Sequence, residues 1–168
     1  MKKFFGYAGA LSTLALFNSP ATAVTPSTQA TASAKIYKPL TITSLQNLDF
    51  GVIVLSGSNF TGESVVMSTT GTVTCGTTAG DLTCSGTPKP ATYQLVGTAN
   101  ANVGITSPAF TLSNGSATLP FTPAFTATVT LGSSGTANFS LGGTISGLRN
   151  TTPDGVYTGT FAVTANYQ

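Results

Sequence analysis

The sequence predicts an all-β protein, folded as a single immunoglobulin-like β-sandwich. Apolar and polar residues alternate along most of the chain, as they do in strands that bury one face. Beyond the N-terminus, no window of eleven or more residues shows the helical period of 3.6. Turn sequences rich in Gly, Asn, Ser and Pro separate the alternating runs. Several short strands at this spacing are typical of a sandwich.

The alternating runs can be followed in order along the chain. In the run 48–54, the residues Leu48, Phe50, Val52 and Val54 are predicted to share one face. Threonine, which is β-branched and polar, suits the solvent-facing positions between the apolar ones. Further runs lie at 64–75, 91–97, 109–113, 117–121, 125–131 and 137–145.

The last alternating segment covers residues 155–167 and predicts one long C-terminal strand. One of its faces carries Tyr157, Gly159, Phe161, Val163, Ala165 and Tyr167. The turn sequence Thr152-Pro153-Asp154-Gly155 comes immediately before it.

The N-terminus has the organisation of a secretory signal peptide spanning residues 1–23. Lys2 and Lys3 precede an apolar stretch at 4–17, and small residues then lead to a predicted cleavage between Ala23 and Val24. The alternative is an N-terminal membrane anchor, but the stretch is shorter than the ~20 residues a bilayer crossing needs. The mature chain contains no second long apolar run, so we expect no transmembrane segment in it.

Residues 24–36 are predicted to form an extended N-terminal arm ahead of a single domain at 37–168. Alternate positions of the arm carry Ala30, Ala32, Ala34 and Ile36. Two interpretations fit this pattern. The arm is either a flexible leader to an ordinary first strand or a donor strand that adds to the sheet of another subunit.

The two cysteines, Cys75 and Cys84, are predicted to form a disulfide, because the chain is expected to enter an oxidising compartment. The residues between them have a turn composition, so the bond would close a hairpin. A zinc site is the less favoured alternative, because two thiolates without histidine cannot complete the usual ligand set.

The composition excludes several classes of function. The chain has no histidine, so it offers no imidazole base and no histidine-ligated metal. Its 6 basic residues are too few for a nucleic-acid surface. Removing residues 1–23 leaves four basic residues against the carboxylates of Asp49, Glu63, Asp81 and Asp154. We therefore expect neither an enzyme nor a cofactor.

Motifs near both ends carry a resemblance to a known family. They are Pro39-Leu40-Thr41-Ile42-Thr43 with Leu48-Asp49-Phe50-Gly51 soon after, and the segment from Asp154 through Phe161 to Tyr167. Together they resemble a secreted bacterial family catalogued as a domain of unknown function. That family is similar to pilin subunits of the chaperone–usher pathway, notably common-pilus (Mat/Ecp) fimbrillins and spore-coat-U-like subunits.

The resemblance implies a sandwich with an incomplete or swapped edge strand. It implies an assembly strand containing Gly155, Tyr157, Phe161, Val163 and Tyr167, where Gly155 is the fourteenth residue from the end and Tyr167 the penultimate one. The arm at 24–36 would donate the missing strand to another subunit. A periplasmic chaperone and an outer-membrane usher are the implied partners, beside copies of this chain or related subunits.

We therefore expect a secreted structural subunit of a bacterial surface fibre, exported through the periplasm and assembled by strand donation. One alternative is a monomeric secreted binding module that recognises glycans or other surface ligands through its loops or tyrosines. A second alternative is a small outer-membrane β-barrel, which also alternates but needs longer strands with aromatic girdles.

Overall fold

The structure, a computed structural model, describes residues 25–168. The predicted cleavage site at Ala23 and Val24 lies outside these residues. The described residues form strands and no helix, so none of their segments is a helix that could span a membrane. The strands are β1 (Thr41–Gln46), β2 (Val52–Leu55), β3 (Thr61–Met67), β4 (Val73–Cys75), β5 (Leu82–Ser85), β6 (Ala91–Val96), β7 (Asn102–Thr106), β8 (Phe110–Ser113), β9 (Thr118–Phe125), β10 (Thr128–Thr130), β11 (Thr136–Arg149) and β12 (Thr164–Tyr167).

The strands form one large curled sheet and two small ones. In the large sheet the order is β1-β6-β11-β3-β4, and β9 joins β11 while carrying β8 on its other side. The second sheet has the order β10-β7-β12, and the third pairs β2 with β5. All of these pairings are antiparallel. The prediction of an all-β fold is confirmed.

Two apolar clusters show how the sheets pack as a sandwich. The first joins the large sheet to the β2–β5 pair and includes Phe60, Met67, Leu82 and Phe121. The second joins it to the three-stranded sheet and is built around Leu95, Val103, Ile105, Leu131 and Phe139. The second layer of the sandwich is therefore made of two separate sheets.

The long strand β11 holds the large sheet together because it pairs with three neighbours. Its first half pairs with β6, and its second half lies between β3 and β9. Gly142 is buried at the point where β11 changes from pairing with β6 to lying between β3 and β9. An added Cβ there would collide with the backbone of Met67 and Ser68. Only glycine allows this close approach of the strands.

The predicted shared face of Leu48, Phe50, Val52 and Val54 is wrong. Phe50 is buried, but Val52 and Val54 are 55% and 47% exposed. The cause is Gly51, whose φ of +74° interrupts the extended chain before β2 begins. The alternation therefore changes face at this glycine.

Two further runs differ from the predicted strands. The run 125–131 is divided between sheets, because β9 ends at Phe125 in the large sheet and β10 begins at Thr128 in the three-stranded sheet. At the C-terminus, only Thr164–Tyr167 forms a strand. Residues 159–163 form no strand, and Thr158 makes an isolated bridge to Ser113.

Residues Ile36–Gln168 form one compact unit. Residues 25–35 are exposed and belong to no strand. Ala30, Ala32 and Ala34 are among them. Ile36, at the start of the compact unit, is 88% exposed.

The structure joins Cys75 and Cys84 in the predicted disulfide, with their Cα atoms 5.8 Å apart. The bond links the end of β4, in the large sheet, to β5, which pairs with β2, so the predicted hairpin between the two cysteines is wrong. Closing a loop of about ten residues reduces the entropy of the unfolded chain, which contributes about 2.7 kcal/mol in the chain-entropy treatment.

Candidate functional site

A large apolar groove lies between β2 and the segment 152–163 that leads into β12. Its volume is about 1210 Å³. Side chains from the large sheet form its floor, and β2 and segment 152–163 form its two sides. The groove therefore occupies the space between the β2–β5 pair and the β12 side of the second layer.

Apolar side chains dominate the lining of the groove. Phe121, Ile145 and Leu148 on the floor are almost fully buried, with exposures of 1%, 4% and 3%. The side chains above them are only half-buried, although they pack against the same core cluster. These are Leu48, Ile53, Leu55, Phe110, Leu112 and Tyr157. A further occupant of the groove would complete their burial.

Stacked phenylalanine rings hold segment 152–163 over the floor. The ring of Phe161 stacks on that of Phe110, with centroids 4.7 Å apart. Phe110 in turn packs on Phe121 at 4.7 Å, and Phe121 meets the edge of Phe50 at 5.9 Å. Aromatic pairs in these geometries add stabilisation beyond the area they bury. The segment is thus fixed by side chains where backbone pairing is sparse.

The two sides of the groove differ in backbone structure, because β2 is a strand and segment 152–163 is irregular. β2 pairs with β5 on one side, and the groove lies on its other side. Segment 152–163 meets β8 at one backbone bridge. There the N–H of Thr158 donates to the carbonyl of Ser113 at 2.9 Å, and the N–H of Ser113 donates to the carbonyl of Thr158 at 2.8 Å. Backbone amides on the edge of β2 away from β5 are available to an added strand.

A tyrosine clasp closes the end of the domain where the chain enters β1 and leaves β12. The rings of Tyr37 and Tyr167 stack with centroids 4.3 Å apart. The Tyr167 hydroxyl donates to the carbonyl of Lys38 at 2.9 Å and accepts from the N–H of Thr98 at 2.7 Å. The clasp fixes the residues that immediately follow Ile36.

The structure brings together most of the residues that the sequence placed in the assembly strand. Gly155, Tyr157, Phe161 and Val163 all line the groove, whereas Tyr167 lies in the clasp. Gly155 is exposed with a φ of +130°, a conformation open mainly to glycine.

Sequence reasoning missed the opposite side of the groove, where Ile53 and Leu55 lie, and its floor of Phe110, Ile145 and Leu148. The sequence shows the alternation of each of these strands, but alternation does not show that the strands line the same groove.

The lining of the groove is apolar and carries few charged groups. Its charged lining consists of two exposed carboxylates, Asp49 and Asp154, and no basic side chain among the described residues lines it. Within residues 25–168, no group of three or more His, Cys, Asp or Glu side chains could hold a metal ion. The lining suits an extended apolar peptide whose ends carry positive charge.

A buried carboxylate outside the groove anchors the loop that the disulfide closes. Glu63 on β3 is 5% exposed and accepts hydrogen bonds from Thr77, from its N–H at 2.5 Å and from its hydroxyl at 2.9 Å. The N–H of Thr77 is the main cause of a lowered pKa at Glu63, and burial opposes it. The charged form of Glu63 therefore stabilises the folded state.

We expect this carboxylate to make the fold sensitive to acid. Because the pKa of Glu63 is lower in the folded state, its contribution is complete above the ordinary value of 4.5 and is lost as the pH falls through the folded-state value. Urea unfolding from pH 7 to pH 3 should show the wild type losing stability below about pH 4.5 more steeply than Glu63→Gln. Asp154→Asn, at an exposed carboxylate, should follow the wild type. Parallel curves for the wild type and Glu63→Gln would contradict this assignment.

Comparisons with known proteins identify a family but no characterised relative. Neither the comparison with curated proteins nor that with solved structures gives a match. The family described as Domain of unknown function (DUF4402) matches residues 40–167, which include every strand of the fold. The match confirms the domain-of-unknown-function part of the resemblance and makes no link to pilins. The chain belongs to this domain-of-unknown-function family.

Proposed function

We propose that this protein is a secreted structural subunit of a bacterial surface fibre, assembled by β-strand donation. In this proposal the groove between β2 and segment 152–163 accepts a strand from another subunit. The N-terminal arm at 24–36 donates a strand in turn. The protein has a structural role and catalyses no reaction.

The observation that carries the proposal is the combination of an apolar lining with the open strand edge of β2. Half-buried side chains such as Leu55, Phe110 and Tyr157 line a gap in the second layer of the sandwich. β2 and the residues around Thr158 present backbone groups along the same gap. An inserted strand would satisfy both, because its amides pair with the two sides while its alternate side chains meet the floor.

The same features imply that the groove is covered before assembly. An apolar groove beside open strand edges promotes aggregation when it is left exposed. We propose that a periplasmic chaperone occupies it during export and that an outer-membrane usher exchanges the chaperone for the next subunit. The assembled protein would then lie at the cell surface.

Deletion of the arm tests the proposal. We expect a chain lacking residues 25–36 but retaining the export signal to be secreted and folded, yet to disappear from high-molecular-weight fibres sheared from cells. The compact unit Ile36–Gln168 retains almost all of its residues in this variant, so circular dichroism should show an unchanged β-sheet spectrum. The measurement is the fraction of the subunit found in polymers.

As a matched control, residues 25–36 are replaced by a Gly/Ser sequence of equal length, which keeps the reach of the arm and removes its strand character. This variant should also fail to polymerise. Polymers formed by either variant at the wild-type level would contradict arm donation, and a wild-type chain that stays monomeric on cells would contradict the fibre role.

A further inference from the structure

We infer that the groove takes its strand from a different polypeptide, one with large aliphatic side chains at alternate positions and a flanking basic residue. The alanine face of a second copy's arm is a poor occupant. This inference rests on the proposed function, because it names the partner of the same groove. It leads to a mixed fibre, in which neighbouring subunits differ in sequence.

The size of the groove is the first argument. Around its rim, Leu48, Ile53, Leu55 and Tyr157 are half-buried above an apolar floor. A strand that fills this space must reach the floor with its inward side chains, since space left empty forfeits packing contacts. An alanine contributes one methyl group, whereas isoleucine or leucine contributes four carbons. An alanine strand would therefore leave the groove partly empty.

The composition of the arm is the second argument. In the arm at 24–36, the large aliphatic residues are Val24 at its first position and Ile36 at its last, and Ala30, Ala32 and Ala34 lie between them at alternate positions. Ile36 is followed immediately by Tyr37, which the clasp stacks on Tyr167. The bulky residue thus sits at the root of the arm, beside its own domain. Between Val24 and Ile36, the alternate positions carry Pro26, Thr28 and the three alanines, so the apolar groups of this stretch are small.

Charge at the rim supplies the third argument. Asp49 and Asp154 are exposed in the lining, and no basic side chain of the described residues joins them there. An occupant with a Lys or Arg beside its apolar stretch would be attracted to this rim. A peptide strand suits this groove better than a simple acyl chain, because the open edge of β2 presents amide groups that a hydrocarbon would leave unpaired.

Peptide binding to the mature chain tests the inference. The native peptide covers residues 24–37, and the bulky peptide carries Ala30→Ile, Ala32→Ile and Ala34→Ile in the same sequence. Both retain Lys35, so their charge is matched. We expect the bulky peptide to bind at least ~100-fold more tightly, since each substitution adds three carbons to the buried surface. Fluorescence anisotropy with labelled peptides measures both dissociation constants.

Two controls identify the mode of binding. A clustered peptide with Thr31→Ile, Ala32→Ile and Ser33→Ile carries the same number of bulky residues without the alternate spacing, and it should bind ~10-fold or more weakly than the bulky peptide. A bulky peptide N-methylated at alternate amides loses its strand hydrogen bonds and should not bind. Hydrogen exchange should show new protection at 52–55 and 156–163 when the bulky peptide is bound.

The outcomes separate this inference from the proposed function. Equal affinities for the native and bulky peptides would overturn the inference and leave a fibre of identical subunits. Binding of neither peptide would overturn the proposed function itself. Equal binding of the N-methylated peptide, or of palmitate in competition, would overturn both and identify the groove as a site for an apolar small molecule.

Discussion

Appending a bulky donor strand to the C-terminus should raise the melting temperature of the domain by about 10 °C. The variant carries a flexible Gly/Ser linker after Gln168, followed by residues 30–36 with isoleucine at 30, 32 and 34. Three buried isoleucines contribute roughly 5–9 kcal/mol, and the new backbone hydrogen bonds add about 1 kcal/mol each, against a cost of about 1–2 kcal/mol for each residue ordered. We expect a net gain of about 3–5 kcal/mol, and each kcal/mol shifts the melting temperature of a domain this size by about 2–4 °C.

The control for this fusion changes only the backbone of the appended strand. Proline at the positions of Thr31 and Ser33 removes two N–H donors and disrupts an extended ladder, while the isoleucines stay in place. The proline fusion should melt near the temperature of the unfused domain. Equal melting temperatures for the two fusions would show that the isoleucines act without strand insertion, and would count against the groove as an acceptor of strands.

Truncating the central ring of the groove floor should strongly destabilise the domain. Phe121 is 1% exposed and packs against three other rings, those of Phe50, Phe110 and Phe161. Removing a buried phenylalanine side chain typically costs about 3–5 kcal/mol, because the cavity relaxes only partly. We expect Phe121→Ala to lower the free energy of unfolding by that amount, measured by urea denaturation.

The neighbouring Thr122 provides the matched control on the same strand. Its side chain is exposed, so Thr122→Ala should change the free energy of unfolding by less than about 0.5 kcal/mol. Because Phe121 also contacts the ring of Phe161, Phe121→Ala should accelerate proteolysis within segment 152–163. A loss of less than about 1 kcal/mol would contradict the central role of this ring in the core.

The sequence predicts the fold class well because alternation is a local property. Strands such as β6 and β11 coincide closely with the predicted runs 91–97 and 137–145, where one face is buried and the other is polar. Alternation does not report where a strand changes partners. The run 125–131 keeps an unbroken pattern although the chain passes from one sheet to another between Phe125 and Thr128.

The groove could be predicted only in part, because a gap is defined by elements far apart in the chain. The C-terminal pattern identifies Tyr157, Phe161 and Val163 as members of one face, and they do line the groove. Nothing in that pattern shows that residues 159–163 form no strand. The opposite side, at Ile53 and Leu55, depends on the change of face at Gly51, which alternation alone does not reveal.

The tyrosine clasp has a mechanical consequence for any chain that is pulled by its arm. Tension applied at Ile36 enters the domain beside the stacked rings of Tyr37 and Tyr167 and passes directly into β1. β1 is held antiparallel to β6 from Thr41 to Gln46, with hydrogen bonds perpendicular to the strand. A pull along β1 therefore loads these bonds together in shear instead of opening them one at a time, so that the domain resists extension from its N-terminal end.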